Sequence, residues 1–70
     1  MKTSARNMLK GKVSKITTGA VNSEVEIELP DGQKITSIIT INSVNRLGLA
    51  VGKPCYAMIK ASSVMVAVDD

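Results

Sequence analysis

Ser23-Glu24-Val25-Glu26-Ile27-Glu28-Leu29-Pro30-Asp31-Gly32-Gln33-Lys34-Ile35-Thr36-Ser37-Ile38-Ile39-Thr40-Ile41 is the stretch that sets the fold class. Val25, Ile27 and Leu29 alternate with Glu24, Glu26 and Glu28, the two-residue period of a strand with one covered face. Pro30-Asp31-Gly32-Gln33 then reads as a tight turn, because Pro presets φ and Gly permits a positive φ. Lys34 to Ile41 returns as the next strand. Two strands joined by four turn residues make a hairpin, and the rest of the chain extends it.

Upstream, Leu9 to Thr17 reads as a strand with Leu9, Gly11 and Val13 on one face. Ile16 falls out of that period, which predicts a bulge near Ser14-Lys15. Gly19-Ala20-Val21-Asn22 connects this strand to Ser23–Leu29, and Gly and Asn tolerate the left-handed backbone of a turn. Downstream, Asn42 to Leu49 does not alternate. Thr40, Asn42 or Ser43 serves as N-cap of a short helix that Gly48 ends. Gly52-Lys53-Pro54 leads into a fourth strand, Cys55 to Lys60. After Ala61-Ser62-Ser63, Val64 to Val68 reads as a fifth. Three strands, a short helix and two strands is the order of an all-β, five-stranded Greek-key barrel of the oligonucleotide/oligosaccharide-binding (OB) type.

Composition agrees. Val and Ile together number 15 against 4 Leu, and β-branched side chains favour pleated surfaces. Seventy residues form one domain, 1–70, with a marginal core that benefits from self-association. Cys55 is the only cysteine, so no internal disulfide forms, and without His there is no zinc cluster. No apolar run reaches membrane-spanning length, and the N-terminus lacks the apolar core of a signal peptide. The expected compartment is the cytoplasm.

The net charge is +3, placed unevenly. Lys2, Arg6, Lys10, Lys12 and Lys15 precede the first acid, Glu24. Such a basic end attracts nucleic acid, an acidic surface or a small anion. A nucleic-acid-binding barrel is therefore an alternative, although such barrels stack bases on aromatic side chains and Tyr56 is the only aromatic. An enzyme would need an activated nucleophile or an acid–base pair. Cys55 has no base available, and the row Glu24, Glu26, Glu28 reads as a solvated sheet face. A plain assembly module is the remaining alternative.

Two segments stand out chemically. Ser4-Ala5-Arg6-Asn7 and Lys60-Ala61-Ser62-Ser63 each set a cation among small hydroxyl and amide residues. Arg offers a planar fork of donors to oxyanion oxygens. Successive backbone N–H groups at a turn form a nest for an anion. Each segment alone is more simply explained as a polar terminus or a solvated turn. Thr40 and Ser43 are more simply explained as helix caps, although an open helix N-terminus also favours anions.

The order Ser4-Ala5-Arg6-Asn7, Leu9-Lys10-Gly11-Lys12-Val13, Gly19-Ala20-Val21-Asn22-Ser23-Glu24-Val25, Ile39-Thr40-Ile41-Asn42-Ser43, Leu47-Gly48-Leu49 and Ile59-Lys60-Ala61-Ser62-Ser63-Val64 strongly resembles the molbindin (Mop) family. The match runs from Ser4 to Val68. The resemblance implies a non-enzymatic, stand-alone binder of molybdate or tungstate, with no cofactor and no metal cation. It implies a hexamer, a trimer of dimers, holding the anion between subunits, with no nucleic-acid or membrane partner. Carried over, Ser4, Ala5 and Arg6 approach the anion from one subunit and Lys60, Ala61 and Ser62 from another, with Thr40 and Ser43 as hydroxyl donors. The turn Gly19, Ala20, Val21 and Asn22 is implied to give backbone donors to a second class of site near a symmetry axis.

Overall fold

Four strands build one curled sheet in the computed structural model, which describes residues 1–70. They are β1 (Asn7–Thr18), β2 (Asn22–Glu28), β3 (Lys34–Thr40) and β4 (Pro54–Ile59). A helix, α1 (Ile41–Leu47), joins β3 to the β4 side, and a 3-10 turn at Ala61–Ser63 follows β4. The order across the sheet is β3-β2-β1-β4, and every pairing is antiparallel. The long β1 serves two partners. Asn7 to Lys12 pairs with β4, and Lys12 to Thr18 pairs with β2.

The predicted bulge is present. The β1–β2 register shifts between Val13 and Lys15, leaving Ser14 unpaired. Its hydroxyl donates to Glu26 Oε1 at 2.9 Å and lies 3.1 Å from Glu26 O. The extra residue reverses the phase of β1, so Val13 and Ile16 both face the core. Gly11 is required for a different reason. A Cβ there would sit 2.5 Å from the Glu28 carbonyl oxygen and 2.9 Å from Ile27 Cγ2. Only a residue without a side chain lets β1 cross β2 this closely.

Val13, Val25, Ile27 and Ala57 form the buried core, with Ile16, Ile35, Ile39, Val44, Leu49 and Cys55 packed against it. Thr40 is the N-cap of α1, and its Oγ1 accepts from the Ser43 N–H at 3.0 Å. Gly48 ends the helix at φ 65°, its N–H donating to Asn45 O at 3.1 Å. The hairpin turn closes as predicted, with Gly32 at φ 89°.

One expectation is corrected. Val64–Val68 is not a strand in this chain; β4 is the last, and the observed sheet has four strands rather than a closed five-stranded Greek-key barrel. A strand needs an edge that supplies backbone partners. Residues 64–68 join neither edge of the sheet in their own chain, so this apolar run has no ladder to complete. The helix within this stretch starts one residue before Asn42, at Ile41, and ends at the expected αL residue Gly48.

Candidate functional site

The β1–β4 ladder decides where the two cation-bearing segments lie. Its terminal pair is Asn7 with Ile59, and Asn7 Nδ2 donates to Ile59 O at 3.3 Å. Residues just before Asn7 and just after Ile59 must therefore emerge side by side. They border one open concavity of about 540 Å³. Thr3, Ser4, Ala5 and Arg6 form one wall, and Lys60, Ala61 and Ser62 the other, with Met58 at its apolar side. A single chain thus brings together six of the residues singled out from sequence.

The chemistry of this concavity is one-sided. Its lining contains two cations and no acid. The only ion pair in the chain is Lys34 with Glu26 at 3.5 Å, so neither Arg6 nor Lys60 is neutralised by a carboxylate. The Ser4 and Ser62 hydroxyls make no hydrogen bond within the chain, whereas Thr3 Oγ1 accepts from the Ala5 N–H at 3.1 Å. At the turn, the Ser63 N–H is spent on Lys60 O at 2.8 Å and the Val64 N–H on Ala61 O at 3.2 Å. The Ala61 and Ser62 N–H groups, one position earlier, have no backbone acceptor. Donors and positive charge converge, which suits an acceptor-only anion.

Thr40 and Ser43 lie elsewhere. Asn22 pairs with Thr40 across β2–β3, and the Ile41 N–H donates to Val21 O at 3.0 Å. The Gly19–Asn22 turn and the start of α1 are consequently neighbours. Gly19 and Asn22 border a second, smaller concavity of about 300 Å³ with Thr17, Thr18, Ser23, Glu24 and Ile38. Ala20 and Val21 do not line it. This cluster follows the end of β1, while the Arg6–Lys60 concavity precedes its beginning. The twelve residues of β1 therefore separate the two clusters along the strand.

Thr3 and Met58 line the first concavity without having been singled out. Thr3 carried a legible signal, a hydroxyl next to Ser4. Met58 did not, since an outward residue of an edge strand carries no mark of what lies beside it. Cys55 is half-buried, and burial pushes its thiol pKa up, away from the thiolate a nucleophile needs. No group of three or more His, Cys, Asp or Glu side chains is placed to hold a metal ion, and no helix is long and apolar enough to cross a membrane.

Residues 3–66 match the model of the TOBE domain family. A probable molybdenum-pterin-binding protein of Haemophilus influenzae is 51% identical over 69 residues, covering 99% of this chain and all of that one. The chain belongs to the Mop family of TOBE domains. The solved structures agree with that Mop assignment. MopII from Clostridium pasteurianum superposes with a TM-score of 0.90 at 45% identity, over 96% of this chain and 100% of that one. A molybdate-binding protein from Sporomusa ovata gives 0.91 at 34% identity, over 97% and 100%. The curled four-stranded sheet with one short helix is the architecture shared with these OB-like Mop structures.

Proposed function

We propose that this Mop-family chain is an intracellular binding protein for molybdate or tungstate, which stores and buffers the oxyanion and is not an enzyme. The observation that carries the reading is the acid-free concavity in which Arg6 and Lys60 converge with Ser4 and Ser62. A tetrahedral dianion without protons accepts hydrogen bonds only, so a selective site presents N–H, O–H and cations and excludes carboxylates. The names of the Haemophilus and Sporomusa relatives support the same ligand class.

In this reading the anion lies at a subunit interface. The Arg6–Lys60 concavity and the Thr40–Ser43 hydroxyls sit at opposite ends of β1, too far apart for one chain to direct both at one small anion. A second copy removes that obstacle by bringing the α1 end of one chain to the open concavity of another. The segments Ser4-Ala5-Arg6 and Lys60-Ala61-Ser62 border one concavity within a chain, so the expectation that they approach the anion from different subunits is replaced by one in which each chain supplies both as a half-site that a neighbour covers. A hexamer built as a trimer of dimers repeats this contact, and the Gly19–Asn22 turn supplies the second class of site. A ligand that binds only the assembly stabilises it by mass action.

Native mass spectrometry with and without molybdate tests this reading. The expected result is a hexamer carrying a fixed number of anions that sulfate at equal concentration does not replace. A species without bound anion at saturating molybdate contradicts it.

A further inference from the structure

Among the hydroxyl residues that line the Arg6–Lys60 concavity, Thr3 alone has its oxygen engaged. Its Oγ1 accepts from the Ala5 N–H at 3.1 Å, whereas the Ser4 and Ser62 hydroxyls have no partner in the chain. A hydroxyl carries one proton and two lone pairs, so accepting this bond leaves the Thr3 proton unspent. That proton goes to no acceptor in the chain. Thr3 is exposed and stands before β1, so no packed neighbour holds its side chain away from the concavity it lines.

The bond to Ala5 has two consequences. It closes a local turn around Ser4, tying the side chain of residue 3 to the backbone of residue 5, and so fixes the approach to Arg6. It also polarises the Thr3 hydroxyl, because an oxygen that accepts one hydrogen bond donates a stronger one. The free rotors of Ser4 and Ser62 must be ordered when a ligand arrives, at a cost in side-chain freedom. Thr3 is ordered beforehand. The exchange is also one of donors: the Ala5 N–H is spent within the chain, and the Thr3 O–H becomes available in its place. A proton-free oxyanion accepts at every oxygen, so each added O–H donor on this acid-free lining favours it.

We propose that Thr3 is an anion-binding residue, whose hydroxyl, braced by the Ala5 N–H, donates to an oxygen of the oxyanion held by Arg6 and Lys60. This role rests on the oxyanion reading above, and it gives that site a donor outside the motif Ser4-Ala5-Arg6-Asn7. Thr3 thereby does two things at once: it shapes the wall of the concavity and contributes a hydrogen bond from it.

Titration calorimetry of molybdate into the full chain, comparing wild type with Thr3→Ser, Thr3→Val and Thr3→Asp, separates the two contributions. Serine keeps both the acceptor and the donor. Valine keeps the shape and loses both. Aspartate keeps an acceptor for the Ala5 N–H but has no proton to give at neutral pH. All four chains should share one far-ultraviolet circular dichroism spectrum, since Thr3 is exposed and outside the sheet. T3S should bind as wild type does and T3V roughly tenfold more weakly. T3D should bind more weakly still, because its carboxylate also repels the anion. T3V at wild-type affinity overturns the role of Thr3 and leaves the oxyanion reading standing. T3D at wild-type affinity does the same, since Thr3 would then only shape the turn. T3S as weak as T3V also overturns it, because the hydroxyl would not be what counts. A wild type that takes up no molybdate overturns both.

Discussion

Asn7 and Ile59, 52 residues apart in sequence, meet at the last rung of the β1–β4 ladder, where the Asn7 side chain donates to the Ile59 carbonyl at 3.3 Å. This contact converts two distant cationic segments into one concavity. Replacing Asn7 by Ala removes one part-buried hydrogen bond, for an expected loss of about 0.5–1.5 kcal/mol in chemical denaturation. Because the walls of the concavity diverge from that rung, molybdate affinity should fall by more than the stability loss alone explains. Wild-type affinity in a folded N7A chain would show that the rung does not organise the site.

Gly11 gives a second prediction, on packing alone. Alanine at this position drives a Cβ against the Glu28 carbonyl and Ile27, where backbone rather than a flexible side chain must yield. Overpacking of this kind costs about 1–3 kcal/mol. Urea denaturation of Gly11→Ala should report it, and a midpoint equal to wild type would mean that β1 and β2 are not so closely apposed.

The hairpin turn makes a third, on pH. Asp31 Oδ1 accepts from the Gln33 N–H at 3.1 Å, and that bond holds its carboxyl below the ordinary value of 3.8, helped by the Gln33 side-chain amide at 2.7 Å. A depressed folded pKa contributes stability above the unfolded value and loses it as pH falls through the folded one. The stability difference between wild type and Asp31→Ala should therefore be constant near neutrality and shrink below pH 3.8. A difference independent of pH across that range would contradict the assignment.

How much of this was legible beforehand follows from what each element depends on. The β2–turn–β3 hairpin was readable because its signals are local: Val25 and Ile27 alternate with glutamates, and Gly32 supplies the turn. The bulge was readable because Ile16 breaks a period that Val13 belongs to. The apolar tail was read as a fifth strand because it is a short valine-rich run after a break, yet such a run specifies a willingness to pair and not the presence of an edge. The convergence of Arg6 and Lys60 depends on the pairing of Asn7 with Ile59, a register that neither segment encodes on its own. The Mop resemblance supplied the ligand class, since a cation beside small hydroxyls is common on any surface.

Titration calorimetry of molybdate into wild type, Arg6→Ala and Lys60→Ala tests the central claim most directly. Each charge-assisted hydrogen bond contributes about 1.5–3 kcal/mol net, so each variant should bind roughly ten- to a hundred-fold more weakly while keeping its wild-type circular dichroism. Unchanged affinity in both folded variants would contradict the account.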